Sequence, residues 1–166
     1  MRAAAPIAVA ALLAGCGYKA GLTLPEGHHS VGIEIFGNDS MERDVEREVH
    51  AALSRSVREL VHAPLSAPDQ ADLVIDGRVT EFRRWAGIRG KRNVLLESGM
   101  TIAVEAWLED RASGERVRSV LSSRRIGYVL AEENGERKAR ERAVSYIAED
   151  VVLELFTPAA QMEGDS

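Results

Sequence analysis

The chain has 166 residues, 45% hydrophobic and 28% charged, with a formal net charge of -5. That length suits one domain, and that balance is too apolar for a disordered chain. The acidic average argues against a nucleic-acid binder, and the single cysteine rules out an internal disulfide or a cysteine-built zinc site.

The lone cysteine has a context. Met1-Arg2 is a short positive start, and residues 3–14 are small and apolar, interrupted only by Pro6. This run is shorter than the roughly 20 residues a spanning helix needs, and it fits the apolar core of a secretory signal. Leu13-Ala14-Gly15-Cys16 follows, and it resembles the bacterial lipobox, in which the cysteine is lipidated and becomes the new N-terminus. Residues 1–15 are therefore expected to be a signal peptide and Cys16 the lipid anchor. The resemblance implies several acyl chains on Cys16, palmitate among them, which anchor far more firmly than one. Gly17 follows, where Asp would mark inner-membrane retention in the best-known sorting type, so the expected location is the outer membrane on its periplasmic side. Residues 16–30 read as the lipidated N-terminus and an extended linker, rich in glycine and containing Pro25.

From Val31 to Phe36 apolar and other residues alternate, which predicts a strand with Val31, Ile33 and Ile35 on one face. A turn at residues 37–40 leads to a helix capped by Asp39 or Ser40, with Glu42 at capping-box distance. Its stripe is Met41, Val45, Val49, Leu53, Val57 and Leu60, and Pro64 stops it. Residues 73–84 alternate again. Leu73, Ile75 and Val79 share one face, and Asp76, Arg78, Thr80 and Phe82 the other. A basic loop spans residues 87–93. Residues 94–110 form the clearest strand, with Met100, Ile102, Val104, Ala106 and Leu108 opposite Thr101, Glu105 and Trp107. Ala112-Ser113-Gly114 makes a hairpin to a returning strand at 117–130, whose poor alternation at residues 122–125 predicts a bulge or an edge position. A second amphipathic helix covers about 136–156, and residues 157–166 form a polar tail.

The order β-α-β-β-β-α predicts an α+β fold, a two-layer sandwich spanning residues 31–156. A four-stranded mixed sheet carries both helices on one face, because each helix has one apolar stripe. Its first βαβ unit should be a right-handed crossover. The other sheet face is left open, with Phe82 and Trp107 as candidate partner-docking residues among polar neighbours.

No catalytic constellation stands out, so no enzyme activity is expected. His28, His29, His50 and His62 have no metal-ligand spacing, the 87–91 segment lacks the phosphate-loop pattern, and no cofactor is implied. One local feature departs from the acidic average: Arg83, Arg84, Arg89, Lys91 and Arg92 fall within ten residues with no acid between them. Guanidinium groups at this density can hold phosphates, with Arg124 and Arg125 nearby if the last strand is adjacent. A solvated hairpin tip paired with distant acids explains the same cluster.

Cys16-Gly17-Tyr18, then Leu24-Pro25, then Val31-Gly-Ile-Glu-Ile-Phe36 with Asn38 and a charged amphipathic helix, together resemble the lipopolysaccharide-assembly lipoprotein family, LptE. The resemblance implies a non-enzymatic lipoprotein that plugs the outer-membrane β-barrel translocon LptD, assists its assembly and binds lipopolysaccharide in transit. It makes the barrel, the glycolipid and the membrane the expected partners. Arg83, Arg84, Arg89, Lys91 and Arg92 are the glycolipid-binding candidates on chemistry, without a residue-by-residue match. A tethered periplasmic adaptor regulating a cell-wall synthase is the alternative. It would want a longer linker than the 14 or so residues before the first strand, which hold a flexible chain within about 20 Å of the membrane on average.

Overall fold

The computed structural model describes residues 21–158, so Cys16, the signal segment and most of the tail lie outside the described residues. Seven elements follow in order: β1 (Val31–Ile33), β2 (Gly37–Asn38), α1 (Val45–Leu60), β3 (Leu73–Ala86), β4 (Glu97–Asp110), β5 (Glu115–Val129) and α2 (Gly135–Phe156). The sheet order is β1-β3-β4-β5, with β2 also on β3. β1 and β2 run parallel to β3, and the β3–β4–β5 meander is antiparallel. This is the expected α+β sandwich.

The core lies between the helices and one sheet face. Val49, Leu53 and Val57 of α1 meet Leu73, Ile75 and Val79 of β3, while Ile147, Val151 and Val152 of α2 close over Ile102, Val104 and Leu108 of β4. These side chains are buried, and full burial of each contributes about 1.5–3 kcal/mol. Thr101, Glu105 and Trp107 alternate with them on the opposite face, where they are only half-buried.

The expected first strand is broken in two. Phe36 turns inward, 2% exposed, and Ile35 turns outward, 59% exposed, reversing the expected alternation. The cause is Gly77: a Cβ there would lie 2.6 Å from the Phe36 ring, so the missing side chain is the space the ring occupies. Asn38 then sets the turn. Its amide N–H groups donate to the Glu42 carbonyl oxygen (2.8 Å) and Glu46 Oε2 (2.7 Å), and its Oδ1 accepts from the Ser40 N–H (3.0 Å). Residues 39–44 are thereby held as a loop. α1 starts at Val45 behind Asp44, which has φ 64° and no side-chain cap. The expected Asp39–Glu42 capping box does not form, and Met41 is fully exposed instead of continuing the stripe.

The expected linker is also corrected. From Gly21 onward it is docked. The Leu22 N–H donates to the Leu60 carbonyl oxygen (2.8 Å), and its own carbonyl accepts from the His62 N–H (2.9 Å). Leu22 and Leu24 pack on the core. His28 Nε2 meets Asp110 Oδ2 at 2.8 Å, and the His29 N–H reaches Asp72 Oδ2 at 2.7 Å.

Candidate functional site: the open sheet face and the hairpin tip

A single β-bulge decides which candidate residues share a surface. Val79 pairs with Val104, but Glu81 pairs with Ala103, so Thr80 is an extra residue in β3. Beyond it every side chain changes face. Phe82 pairs with Ile102 and Arg84 with Met100, both core-facing partners. Phe82 is therefore not on the open face as expected. It packs against the core, with the Arg84 and Arg140 guanidinium groups 4.9 and 5.1 Å from its ring.

Arg84 follows it into an ion cluster under the helices. Its Nε donates to Glu136 Oε1 (2.7 Å) and its Nη1 to Glu42 Oε2 (2.8 Å). Arg140 joins through Glu42 and through Glu48 Oε2 at 2.8 Å. The Arg84 hydrogen bond, more than Arg140, holds the Glu42 carboxyl below its ordinary range, and Arg84 likewise lowers Glu136. A guanidinium committed to two carboxylates is a structural tie between β3 and the segments at the two helix starts. It is not a free phosphate receptor.

The same bulge delivers Trp85 to the open face. Its ring lies across Gly99, where a Cβ would come within 2.1 Å of Cζ2, so only glycine admits it. Arg125 covers the ring at 4.4 Å. At the other end Arg116 covers Trp107 at 3.9 Å. Cation–π stacks of this kind contribute about 0.5–1 kcal/mol at exposed sites. Between them Arg78 donates to Glu105 Oε2 through Nε (2.9 Å) and Nη2 (2.6 Å), and Arg83 pairs with Glu81 at 2.9 Å. Trp107 thus stands on the open face as expected. Trp85, Arg116 and Arg125 complete a surface that strict alternation hides. Arg124 goes to the helix face, where it meets Asp150 at 2.8 Å.

The remaining cations gather at the β3–β4 hairpin tip. Residues 90–93 form its turn, with the Gly90 N–H donating to Val94 O (2.8 Å), the Asn93 N–H to Gly90 O (2.9 Å), and Asn93 at φ 61°. Arg89 Nη1 donates to the Asn93 carbonyl oxygen at 3.0 Å. Lys91 and Arg92 are exposed, and none of the three has an acidic partner among the described residues. Beside them stand Ile88, Val94 and Leu96, at 59%, 57% and 48% exposure. Leu130 adds to this patch because its N–H bonds to Leu96 O at 3.0 Å. The five sequence-adjacent cations therefore split three ways: Arg83 on the open face, Arg84 in the ion cluster, and Arg89, Lys91 and Arg92 on an apolar-and-basic tip.

Among the described residues there is no group of three or more potential metal ligands, and no helix is long and apolar enough to cross a membrane.

No family model matches the chain, and no curated protein matches it. Solved structures do. The PelC dodecamer from Paraburkholderia phytofirmans is 19% identical, with 82% of this chain and 95% of that one covered at a TM-score of 0.56. A lipoprotein from Caulobacter crescentus is 20% identical, covering 79% and 92% at 0.52. The rare lipoprotein B of Shewanella oneidensis is 11% identical, covering 81% and 99% at 0.50. This chain has a fold that bacterial lipoproteins share. At these identities the likeness is one of fold.

Proposed function

We propose that this protein is an outer-membrane lipoprotein, anchored through Cys16, that plugs the lipopolysaccharide-translocating β-barrel, assists its assembly and binds lipopolysaccharide during transport. The observation that carries this is the sheet face that no other described residue covers. It is polar, it is stiffened by the Trp85–Arg125 and Trp107–Arg116 stacks, and it belongs to a domain held close to its anchor. The lumen of a transmembrane barrel is polar, so such a face suits its wall.

The tether supports the same arrangement. Leu22, the first described residue paired to the domain, is only six positions from Cys16. At full extension that segment reaches about 20 Å. This end of the domain lies where β3 starts, and the tip lies at the far end of β3. Fourteen residues of strand separate them, or about 45 Å at roughly 3.3 Å per residue. A domain held at its Leu22 end presents the tip away from the anchor, along the axis of a barrel that receives it. There Arg89, Lys91 and Arg92 offer cations for the glycolipid phosphates, and Ile88, Val94 and Leu96 offer apolar surface for its acyl chains.

The test is affinity purification of the tagged full-length chain from detergent-solubilised membranes. Near-stoichiometric recovery of a large β-barrel supports the proposal. Lipopolysaccharide binding should then fall at least tenfold in an Arg89→Glu, Lys91→Glu, Arg92→Glu variant. Recovery of a cell-wall synthase without a barrel refutes it.

A further inference from the structure

We propose that the free edge of β5, together with the cleft between that edge and α2, receives an extended acidic segment of a partner protein, which adds a strand to the sheet. This does not rest on the barrel or the glycolipid.

The two edges of the sheet differ. At the β1 edge the Val31 N–H donates to Pro64 O (3.1 Å), and Val31 O accepts from the Ser66 N–H (2.8 Å), so the loop after α1 closes it. β5 has 15 residues and, among the described residues, pairs only with β4. Among the described residues, no backbone hydrogen bond joins residues 116–128 to any other element. An unpaired edge of this length is a template for another chain, and proteins usually blunt it with proline, bulges or inward charges. β5 contains no proline, and its two inward charges, Arg118 and Arg124, are drawn onto α2 by the Glu154 carbonyl oxygen and Asp150, which leaves the backbone edge clear. Its one irregularity lies opposite Leu108 and Glu109, at its start, which leaves residues 118–129 in regular register.

A cleft of about 400 Å³ runs beside this edge, lined by Arg124, Arg125, Ile126, Ala143 and Tyr146. A strand edge flanked by a helix is the geometry in which added peptides bind. Main-chain hydrogen bonds supply affinity, and alternate side chains enter the groove. One set of side chains would meet Ile126, Ala143 and the half-exposed Tyr146. The other would lie over the open face beside Leu121, which is 71% exposed.

Charge selects the occupant. β5 carries Arg116, Arg118, Arg124 and Arg125 against Glu115 alone. Among the described residues, Arg124 alone of these arginines makes an ion pair, with Asp150. Arg116 and Arg125 lie on tryptophan rings, and Arg118 donates to the carbonyl oxygens of Glu154 and Thr157. Arg116 also stands opposite Glu109 on β4, which leaves Arg118 and Arg125 without an acidic partner among the described residues. A second copy of β5 would set arginines against arginines, which cross-strand pairing penalises. An acidic strand meets them favourably.

The probes are two ten-residue fluorescent peptides with valine at alternate positions, the other positions being Glu and Asp in one and Lys in the other. Each is titrated against the full-length chain in detergent micelles by anisotropy, with amide hydrogen exchange on the complex. The expected result is saturable binding of the acidic peptide, at least tenfold tighter than the Lys peptide. Slowed exchange should be concentrated in residues 116–128. Tyr146→Ala and, separately, Arg125→Gln should each weaken binding about fivefold while the chain stays folded, the urea midpoint falling only slightly as each loses its exposed stack. Equal affinity for both peptides, protection centred on Thr101 to Trp107, or a concentration-dependent dimer that protects β5 without peptide would each overturn the proposal.

Discussion

Deleting Thr80 tests the account of how Phe82, Arg84 and Trp85 reach their faces. If β3 were a regular strand, removing one residue would turn residues 81–86 over. It would expose Phe82, break the Arg84 ties to Glu42 and Glu136, and drive Trp85 under the helices. The register says otherwise. Val79 opposite Val104 and Glu81 opposite Ala103 are already consecutive partners on β4, so excising Thr80 joins two correctly phased halves. Thr80 is exposed, and its loss removes a surface side chain and an unpaired bulge residue. The expected cost is within about 1 kcal/mol, the scale of a surface change. Deleting Glu105 is the contrasting perturbation. It would turn Met100, Ile102 and Val104 out of the core, all at 0% exposure. At about 1.5–3 kcal/mol per side chain the loss is roughly 5–9 kcal/mol, enough to unfold a domain whose total stability is about 5–15 kcal/mol. Urea unfolding of the full-length chain measures both. A double-mutant cycle between Arg84→Gln and Glu42→Gln, repeated in the Thr80 deletion, should retain its coupling of about 0.5–1 kcal/mol, a value kept small because Arg84 is nearly half exposed. A loss above about 3 kcal/mol on deleting Thr80, or disappearance of the coupling, would refute the bulge argument.

Other outcomes follow from the same geometry. Docking of the N-terminal segment depends on pH through His28 and Asp110. The bond to Asp110 raises the His28 pKa, so its contribution is present below the ordinary histidine value of 6.5 and fades as pH climbs through the raised one. The bond to His28 lowers Asp110 from 3.8 to about 2, so that contribution is present above 3.8 and fades as pH falls through about 2. Protection factors of the Leu22 and His62 amides should therefore be highest between those limits, and the loss on the alkaline side should vanish in His28→Ala, whereas part of the acid-side loss remains because the His29 N–H also lowers Asp72. Arg116→Ala should red-shift Trp107 emission in a Trp85→Phe background and lower stability by less than about 1 kcal/mol; a larger loss on thermal melting contradicts the exposed-stack assignment. Leu53→Ala empties a fully buried site on α1 and should cost about 2–5 kcal/mol in urea.

The parts legible in the sequence are those where one period runs unbroken. β4 alternates from Met100 to Leu108, and the expected second helix at 136–156 matches α2 to within a residue, because nothing interrupts the stripe from Ala139 to Phe156. Errors fall where a single residue changes phase. Phe36 departs from alternation to fill the space above Gly77, a contact between segments some forty positions apart that no local pattern encodes. Thr80 has nothing in its chemistry to mark it as supernumerary, so unbroken alternation places Phe82 on the face that Trp85 in fact supplies. The start of α1 was displaced because Asn38, not Asp39, organises the turn. The edge position of β5 is legible in its broken alternation, although residues 122–125 are regular there: Ser122 and Arg124 face α2 and reach Asp150, while Ser123 and Arg125 lie on the open face.

The basic cluster shows why density along a sequence is a weak guide to a site. Five cations in ten residues read as one anion-binding patch. A strand, however, sends neighbours to opposite faces, so Arg83 and Arg84 cannot both join it. Only the turn brings successive residues onto one surface, which is why Arg89, Lys91 and Arg92 stay together. Arg84, with two carboxylates at 2.8 Å or less, anchors β3 to the segments before and at the helix starts instead. Charge reversal at Arg84 should therefore lower stability, whereas reversal at the tip should leave the unfolding midpoint in place and change only the proposed glycolipid binding. Separating those two effects in one set of variants distinguishes a cation that builds the domain from one that meets a ligand.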